Sequence, residues 1–339
     1  MKTLTRRQFG AVTLCGSLAG AAAARAATGE AVQLGVLPLT SHAPTFIAEA
    51  KGYFAKAGLA ARLVSFQAAE PMAVAIASGD VDFGVTAITA ALVSLADKGV
   101  VKVIGGALAE KSGIEGQKIL VSKKAHDEGV TSPARLKGRT FGITTAGSSF
   151  QYMAYKIAQK EGFPAAAIRL QPLQKVPVLI AALKSGRIDA WTIVPNIADL
   201  LTKGGGVFEI GRISDYIPDY QVTTVFTSTV NIEKRRGLVE RYLAAYSQGV
   251  ADYDAALVRK TMAPKETAEI VAMIHKYVYA DMPLAKADPR IRAGAMLVNP
   301  KAAMNLASIE DQLAWFKAER LVPPQATMQK LVDKSFAAS

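Results

Sequence analysis

Hydrophobic spacing changes period in a regular order along this chain. "VQLGVLPL" (residues 32–39) is a nearly unbroken apolar run of strand length, and "APTFIAEAKGYFAKAGL" (43–59) places its apolar residues at helical spacing up to Gly58. Next come "ARLVSF" (61–66), "EPMAVAIASG" (70–79), "DFGVT" (82–86) and "AALVSLADKG" (90–99), which read as strand, helix, strand, helix. From Arg139 the order recurs. "RTFGIT", "AIRLQPL" and "DAWTIV" read as strands, alternating with helical "SFQYMAYKIAQKEG", "VPVLIAALKSG" and "NIADLLTKGGG".

The recurrence has a fixed offset. "SGDVDFGVTAITAAL" (78–92) is echoed by "SGRIDAWTIVPNIADL" (185–200), so that Ser78, Gly79, Val81 and Asp82 align with Ser185, Gly186, Ile188 and Asp189, each 107 positions on. The same offset joins Gly35 to Gly142 and Arg62 to Arg169. Repeated βαβ units with apolar strands predict a parallel sheet covered by helices on both faces. The chain is therefore expected to be α/β, with two similar doubly wound lobes. Two segments fall outside the repeat, "GQKILVSKK" (116–124) and "DYQVTTVFTSTV" (219–230). They read as crossings from one lobe to the other and back, and two crossings make a two-strand hinge. This divides the chain into residues 27–116 (lobe 1), 117–224 (lobe 2) and 225–339 (a return to lobe 1 with C-terminal helices).

Residues 1–26 read as a secretory signal. Lys2, Arg6 and Arg7 precede an uncharged run from Ala11 to Ala24, shorter than the roughly 20 residues that cross a bilayer. Arg6-Arg7-Gln8-Phe9 resembles a twin-arginine export signal, an ordinary basic leader being the plainer reading. Cys15 is the single cysteine and lies inside this segment, so neither disulfides nor thiol chemistry is expected downstream. Without the leader's four basic residues, 36 basic stand against 28 acidic residues, a net charge of +8. The cations are scattered in sequence, Lys234-Arg235-Arg236 being the densest group, and no aromatic-basic pattern accompanies them. A solvated surface is expected rather than a nucleic-acid partner.

Open α/β sheets bind ligands beyond the carboxyl ends of their strands, where helix N-termini offer free N–H groups. The candidate ligand contacts therefore lie in the loops after the strands: Ser41 and His42, Thr86, Gly147, Ser148 and Ser149, and Asn196. Gly147 provides for a positive φ or a close backbone approach, and Ser148 or Ser149 caps the following helix, alone or together with an anionic ligand. His42 is a structural imidazole or a ligand contact. Trp191 is core filling or a platform for a flat or alkyl solute. Tyr152 reads as core or cleft, Trp315 as packing. Asp82 and Asp189 open their strands at the opposite end and read as turn and helix-stop residues rather than catalysts.

The segments "HAPTFIAEAKGYFAKAGL", "AIASGDVDFGVT", "LKGRTFGITTAGSSFQYMAYKIAQKEG" and "LKSGRIDAWTIV" together resemble the periplasmic solute-binding proteins of ABC importers, in the group that takes sulfonates, taurine, nitrate and thiamine-pyrimidine precursors. The resemblance implies a type II periplasmic binding protein, exported, soluble and monomeric, that closes on a small anionic or polar solute and delivers it to a permease and its ATPase. No cofactor, metal or catalysis is expected. The alternatives are an enzyme like the fungal thiamine-pyrimidine synthases, which share this architecture but look to need a cysteine-rich cluster, and a periplasmic ligand sensor. Other enzyme classes find little support. His42, His126 and His275 form no His-x-x-x-His pair, "AGSSF" lacks the frame of a nucleophile elbow, and "TKGGGVF" lacks the ending of a phosphate loop.

Overall fold

A computed structural model describes residues 29–336; the expected signal segment, with Arg6, Arg7 and Cys15, lies outside the described residues. Strands β1 (Glu30–Val36), β2 (Leu59–Ser65), β3 (Phe83–Ala87) and β4 (Val101–Gly106) build most of a first sheet. A two-residue β5 (Leu108–Ala109) leads out of it. The second sheet contains β6 (Lys118–Ser122), β7 (Thr140–Ile143), β8 (Arg169–Pro172), β9 (Ala190–Ile193) and β10 (Val207–Arg212). The chain then returns as β11 (Thr223–Ser228) to the first sheet, and β12 (Leu297–Val298) pairs with β5.

The two sheets have one topology. Their orders, β2-β1-β3-β11-β4 and β8-β7-β9-β6-β10, match position for position. The expectation of a wholly parallel sheet is corrected. β11 runs antiparallel to β3 and β4, and β6 runs antiparallel to β9 and β10. The physical reason is the crossing itself, since a chain arriving from the other lobe enters its sheet from the opposite end. "GQKILVSKK" and "DYQVTTVFTSTV" thus supply strands inside the sheets, and the connections between lobes are the short stretches before them, residues 110–117 and 213–222. β4 and β10 went unread in the sequence although "VVKVIGG" and "VFEIGR" carry β-branched and aromatic residues.

The repeated residues hold this topology. Asp82 Oδ2 accepts the Gln33 N–H at 2.8 Å, and Asp189 Oδ2 accepts the Thr140 N–H at 2.7 Å. Gln33 and Thr140 are themselves 107 apart, so each aspartate clamps the first strand of its own lobe. Turn chemistry belongs instead to Gly79 (φ 86°) and Gly186 (φ 69°), which stop the preceding helices. Gly35 and Gly142 sit where helices press on the sheet: a Cβ on Gly142 would stand 2.6 Å from Leu179 Cδ2 of helix Val176–Lys184. The helix expected over 43–59 breaks at Gly52 (φ 68°) into Ala43–Ala50 and Tyr53–Lys56.

The C-terminal helices contact both lobes. Helix Arg236–Tyr253 packs on Ala43–Ala50, with Tyr242 stacked on Phe83 at 4.0 Å between ring centres. Helix Leu284–Ala293 packs on Pro195–Lys203 of lobe 2, and Asp311 bonds Tyr152 and Lys156 on helix Ser149–Lys160. Tyr152 is accordingly core, 5.2 Å from Trp315. Among the described residues no helix is long and apolar enough to cross a membrane.

Candidate functional site

A cavity of about 80 Å³ lies between the carboxyl ends of the two sheets. Six helices of eight residues or more begin at its wall, three from each lobe: Ala43–Ala50, Ala69–Ser78 and Ala90–Asp97, then Ser149–Lys160, Val176–Lys184 and Pro195–Lys203. Each helix start leaves N–H groups without intrahelical partners and carries a partial positive charge. Prolines at residues 44, 177 and 195 fix the first turn of three of them, at the cost of one donor each.

Of the residues expected to hold a ligand, Ser41, His42, Thr86, Ser148 and Ser149 line this cavity. Two of them have unsatisfied chemistry. His42 Nδ1 and Ser148 Oγ are buried and, among the described residues, have no hydrogen-bond partner. Ser148 occupies the N-cap position, but its hydroxyl makes no cap bond. The loop is held instead by Gln151, whose Oε1 accepts the Gly147 N–H at 2.7 Å. By contrast another N-cap on the wall, Thr89 in the loop after β3, accepts from the Leu92 N–H at 3.1 Å. Burial lowers the His42 pKa to about 3, so its imidazole is neutral, with one nitrogen to donate and one to accept. Among the described residues no Lys, Arg, Asp or Glu is on the wall. The cavity is therefore electropositive through backbone dipoles alone.

Three expected contacts lie elsewhere. Gly147 touches the opposite lobe: its φ is 73°, its carbonyl accepts the Ala90 N–H at 2.9 Å, and an added Cβ would stand 2.3 Å from Ala90 Cβ. Asn196 is fully buried in a bridge, where Oδ1 accepts from the Thr40 hydroxyl at 2.9 Å and Nδ2 donates to Tyr279 at 3.0 Å. Trp191 is core, standing behind Phe150 at 5.5 Å, and Phe150 is the ring that lines the cavity. A third bridge joins the Val176 N–H to the Gln67 carbonyl at 3.3 Å.

The sequence reading missed Gln117, Thr223 and Thr144, along with apolar wall residues such as Leu37, Leu108 and Val222. Gln117 and Thr223 adjoin the start of the crossing strands, a position that could have marked them, because each crossing strand begins at the cavity end of its sheet. Gln117 also takes part in a buried arrangement beneath the wall, its N–H donating to Glu110 Oε1 at 2.9 Å. Burial raises the Glu110 pKa to about 7. Among the described residues no cluster of His, Cys, Asp or Glu is arranged to hold a metal ion.

Two sheets of this order, joined by two crossings and enclosing a cavity ringed by helix starts, define the fold of the periplasmic binding proteins. The model of the NMT1/THI5-like family matches residues 39–256, and the chain belongs to that family. Among solved structures, the alkanesulfonate-binding protein SsuA of Xanthomonas axonopodis pv. citri, bound to MOPS, is 17% identical with a TM-score of 0.69, over 91% of this chain and 98% of that one. The periplasmic nitrate-binding protein NrtA of Synechocystis PCC 6803 is 13% identical with a TM-score of 0.71, over 91% and 87%. The desulfurization enzyme DSZB is also similar, 13% identical with a TM-score of 0.58, over 91% and 96%. No curated protein matches the sequence at a significant level.

Proposed function

We propose that this chain is the extracytoplasmic solute-binding component of an ABC importer, which encloses a small organic solute in the cavity and delivers it to a membrane permease. The observation that carries the reading is the pair of unpartnered polar atoms, His42 Nδ1 from lobe 1 and Ser148 Oγ from lobe 2, in a wall that is otherwise largely apolar. A buried polar group left without a partner costs about 1–3 kcal/mol. A solute with a polar head for these two atoms and an apolar body against Leu37, Leu108 and Phe150 relieves that cost. The head group accepts hydrogen bonds from helix starts and meets no cationic side chain, which suits a sulfonate, a carboxylate or a pyrimidine-like ring. The similarity to sulfonate- and nitrate-binding proteins supports the same class.

In this reading the lobes open about residues 110–117 and 213–222, and the three bridges at Gly147–Ala90, Asn196–Thr40 and Val176–Gln67 form on closure. The similarity to a desulfurization enzyme keeps turnover as the competing outcome. The test is a thermal-shift panel of alkyl- and arylsulfonates, carboxylates, nitrate and aminopyrimidines, followed by calorimetry and recovery of the bound compound. A solute at a hundred times its Kd stabilises the fold by about 2.7 kcal/mol and is recovered unchanged. Recovery of a converted product assigns the chain to catalysis, and the absence of any shift across the panel overturns the solute class.

A further inference from the structure

The cations that are scattered in sequence are gathered in space. Lobe 2, from β6 to β10 (residues 118–212), contains 14 basic and 6 acidic residues, whereas the remaining described residues contain 22 of each. All of the net +8 thus belongs to one lobe.

Within it, the excess follows the sheet edge opposite the cavity. Lys124 follows the end of β6, Arg187 precedes β9, Lys137 and Arg139 precede β7, and Arg169 opens β8. In the sheet these four strands are consecutive, in the order β6-β9-β7-β8, which sets the cations in a row roughly 15 Å long at ordinary strand spacing. The close approaches agree: the Arg169 N–H donates to the Arg139 carbonyl at 2.9 Å, and a Cβ on Gly186 would lie 3.3 Å from Lys124 Cβ. Lys184, at the end of helix Val176–Lys184, adds a sixth cation beside Gly186. Arg139 pairs with Glu128, but among the described residues Lys124, Lys137, Arg169, Lys184 and Arg187 make no ion pair, and all five are exposed. At the equivalent end of lobe 1, Glu30 and Asp82 are taken up by Arg235 and Arg241, and the exposed Lys56, Arg62, Lys98 and Lys234, which among the described residues make no ion pair, stand in a part of the molecule whose basic and acidic residues balance.

We propose that this edge of lobe 2 is a docking surface for an anionic phospholipid bilayer. A row of exposed, unpaired cations along a sheet edge fits an extended plane of negative charge rather than a discrete ligand. Protein partners commonly meet around an apolar centre. The large exposed apolar side chains, Val74, Val178, Val230 and Leu284, are not on this edge. A bilayer with acidic headgroups needs charge alone. Since the edge lies at the far end of the sheet from the cavity, adsorption leaves the solute site free.

The test is co-sedimentation of the protein with vesicles of phosphatidylcholine alone or with 30% phosphatidylglycerol, at low salt and at about 0.5 M, where charge acts over only a few ångströms. Binding is expected on the acidic vesicles at low salt and is lost at high salt. Each cation near the surface contributes about fivefold in partitioning, so neutralising K137Q/R169Q/R187Q lowers it by about a hundredfold. The control K56Q/K98Q/K234Q removes the same charge from exposed positions of the other lobe. It keeps most of the binding. Both variants are checked for an unchanged Tm. Equal binding to neutral vesicles, equal loss in the control, or no binding to acidic vesicles at low salt each overturns the proposal.

Discussion

Lobe 1 and lobe 2 have the same strand order and the same aspartate clamp, yet at equivalent positions they part in three places. Where lobe 1 has Gly84, packed under Met72, Ile76 and Phe226, lobe 2 has Trp191 filling the space behind Phe150. Where lobe 1 offers Ser41 and a buried neutral His42 to the cavity, lobe 2 offers Ser148 and Ser149. At the far edge Arg235 and Arg241 of lobe 1 are ion-paired, whereas in lobe 2 Arg139 alone of the six cations pairs, with Glu128. Of the residues that repeat at the offset of 107, the glycines and aspartates build each sheet and Ser41 and Ser148 recur at the cavity, whereas positions such as Gly84 and Trp191, or His42 and Ser149, mark what each lobe does separately.

The largest effect that separates the lobes is expected at the clamps. Asp189 is 8% exposed and accepts from both the N–H and the hydroxyl of Thr140, at 2.7 and 2.8 Å. Asp189→Ala orphans both donors and costs about 4 kcal/mol. Asp82→Ala loses one backbone donor and a bond to Arg235, which keeps Glu30, and costs about half as much. Denaturant midpoints for the two variants check this, and equal losses contradict the unequal clamps.

The connections differ as well, because the first holds the buried Glu110. Its folded pKa of about 7 lies above the ordinary 4.5. The stability of the protonated form is therefore fully present below pH 4.5 and is lost as pH rises through 7. Glu110→Gln retains an acceptor for the Gln117 N–H and cannot ionise, so at pH 8 it is expected to be more stable than the parent by about 3 kcal/mol, with no difference at pH 4. His42 acts with the opposite sign. Its folded pKa of about 3 lies below 6.5, so the stability of its neutral form is present above pH 6.5 and is lost as pH falls through 3. Between pH 4.5 and 6.5 the two oppose each other in the parent. The Gln variant should show rising stability with pH across that window, and a parallel pair of curves refutes the assignment.

Smaller effects belong to the bridges. Gly147→Ala puts a methyl into Ala90 at a positive φ and is expected to cost about 2 kcal/mol of the closed arrangement, seen as at least tenfold weaker solute binding. Its counterpart 107 positions earlier is Thr40, where Thr40→Val removes one hydroxyl donor to Asn196 and costs about 1 kcal/mol. If the two rank in the reverse order, the close approach at Gly147 is not what joins the lobes.

The two lobes and the helix starts were legible because the offset of 107 is written in glycines, aspartates and apolar spacing, all of which act locally. The candidate loops followed from topology, and Ser41, His42, Thr86, Ser148 and Ser149 line the cavity for that reason. Asn196 and Trp191 could not be placed in the same way. Whether a side chain after a strand faces the cavity or a neighbouring element depends on tertiary partners, here Thr40 and Tyr279 for Asn196 and Phe150 for Trp191. Gln117 and Thr223 escaped because they lie in the crossings, outside the repeat. The basic edge escaped because strand order, not sequence order, sets Lys124, Arg187, Lys137 and Arg169 side by side.

The central claim is that Ser148 Oγ is unpartnered because it awaits a solute, and Ser148→Ala tests it most directly. The measurement is the stability of the solute-free variant together with its affinity, by calorimetry, for the best compound of the panel. The account predicts a solute-free protein at least as stable as the parent, since no cap bond is lost and an orphaned hydroxyl is removed, and binding weakened about tenfold or more. A variant that loses about 1 kcal/mol of stability, as a missing N-cap would, and binds the compound as well as the parent contradicts it.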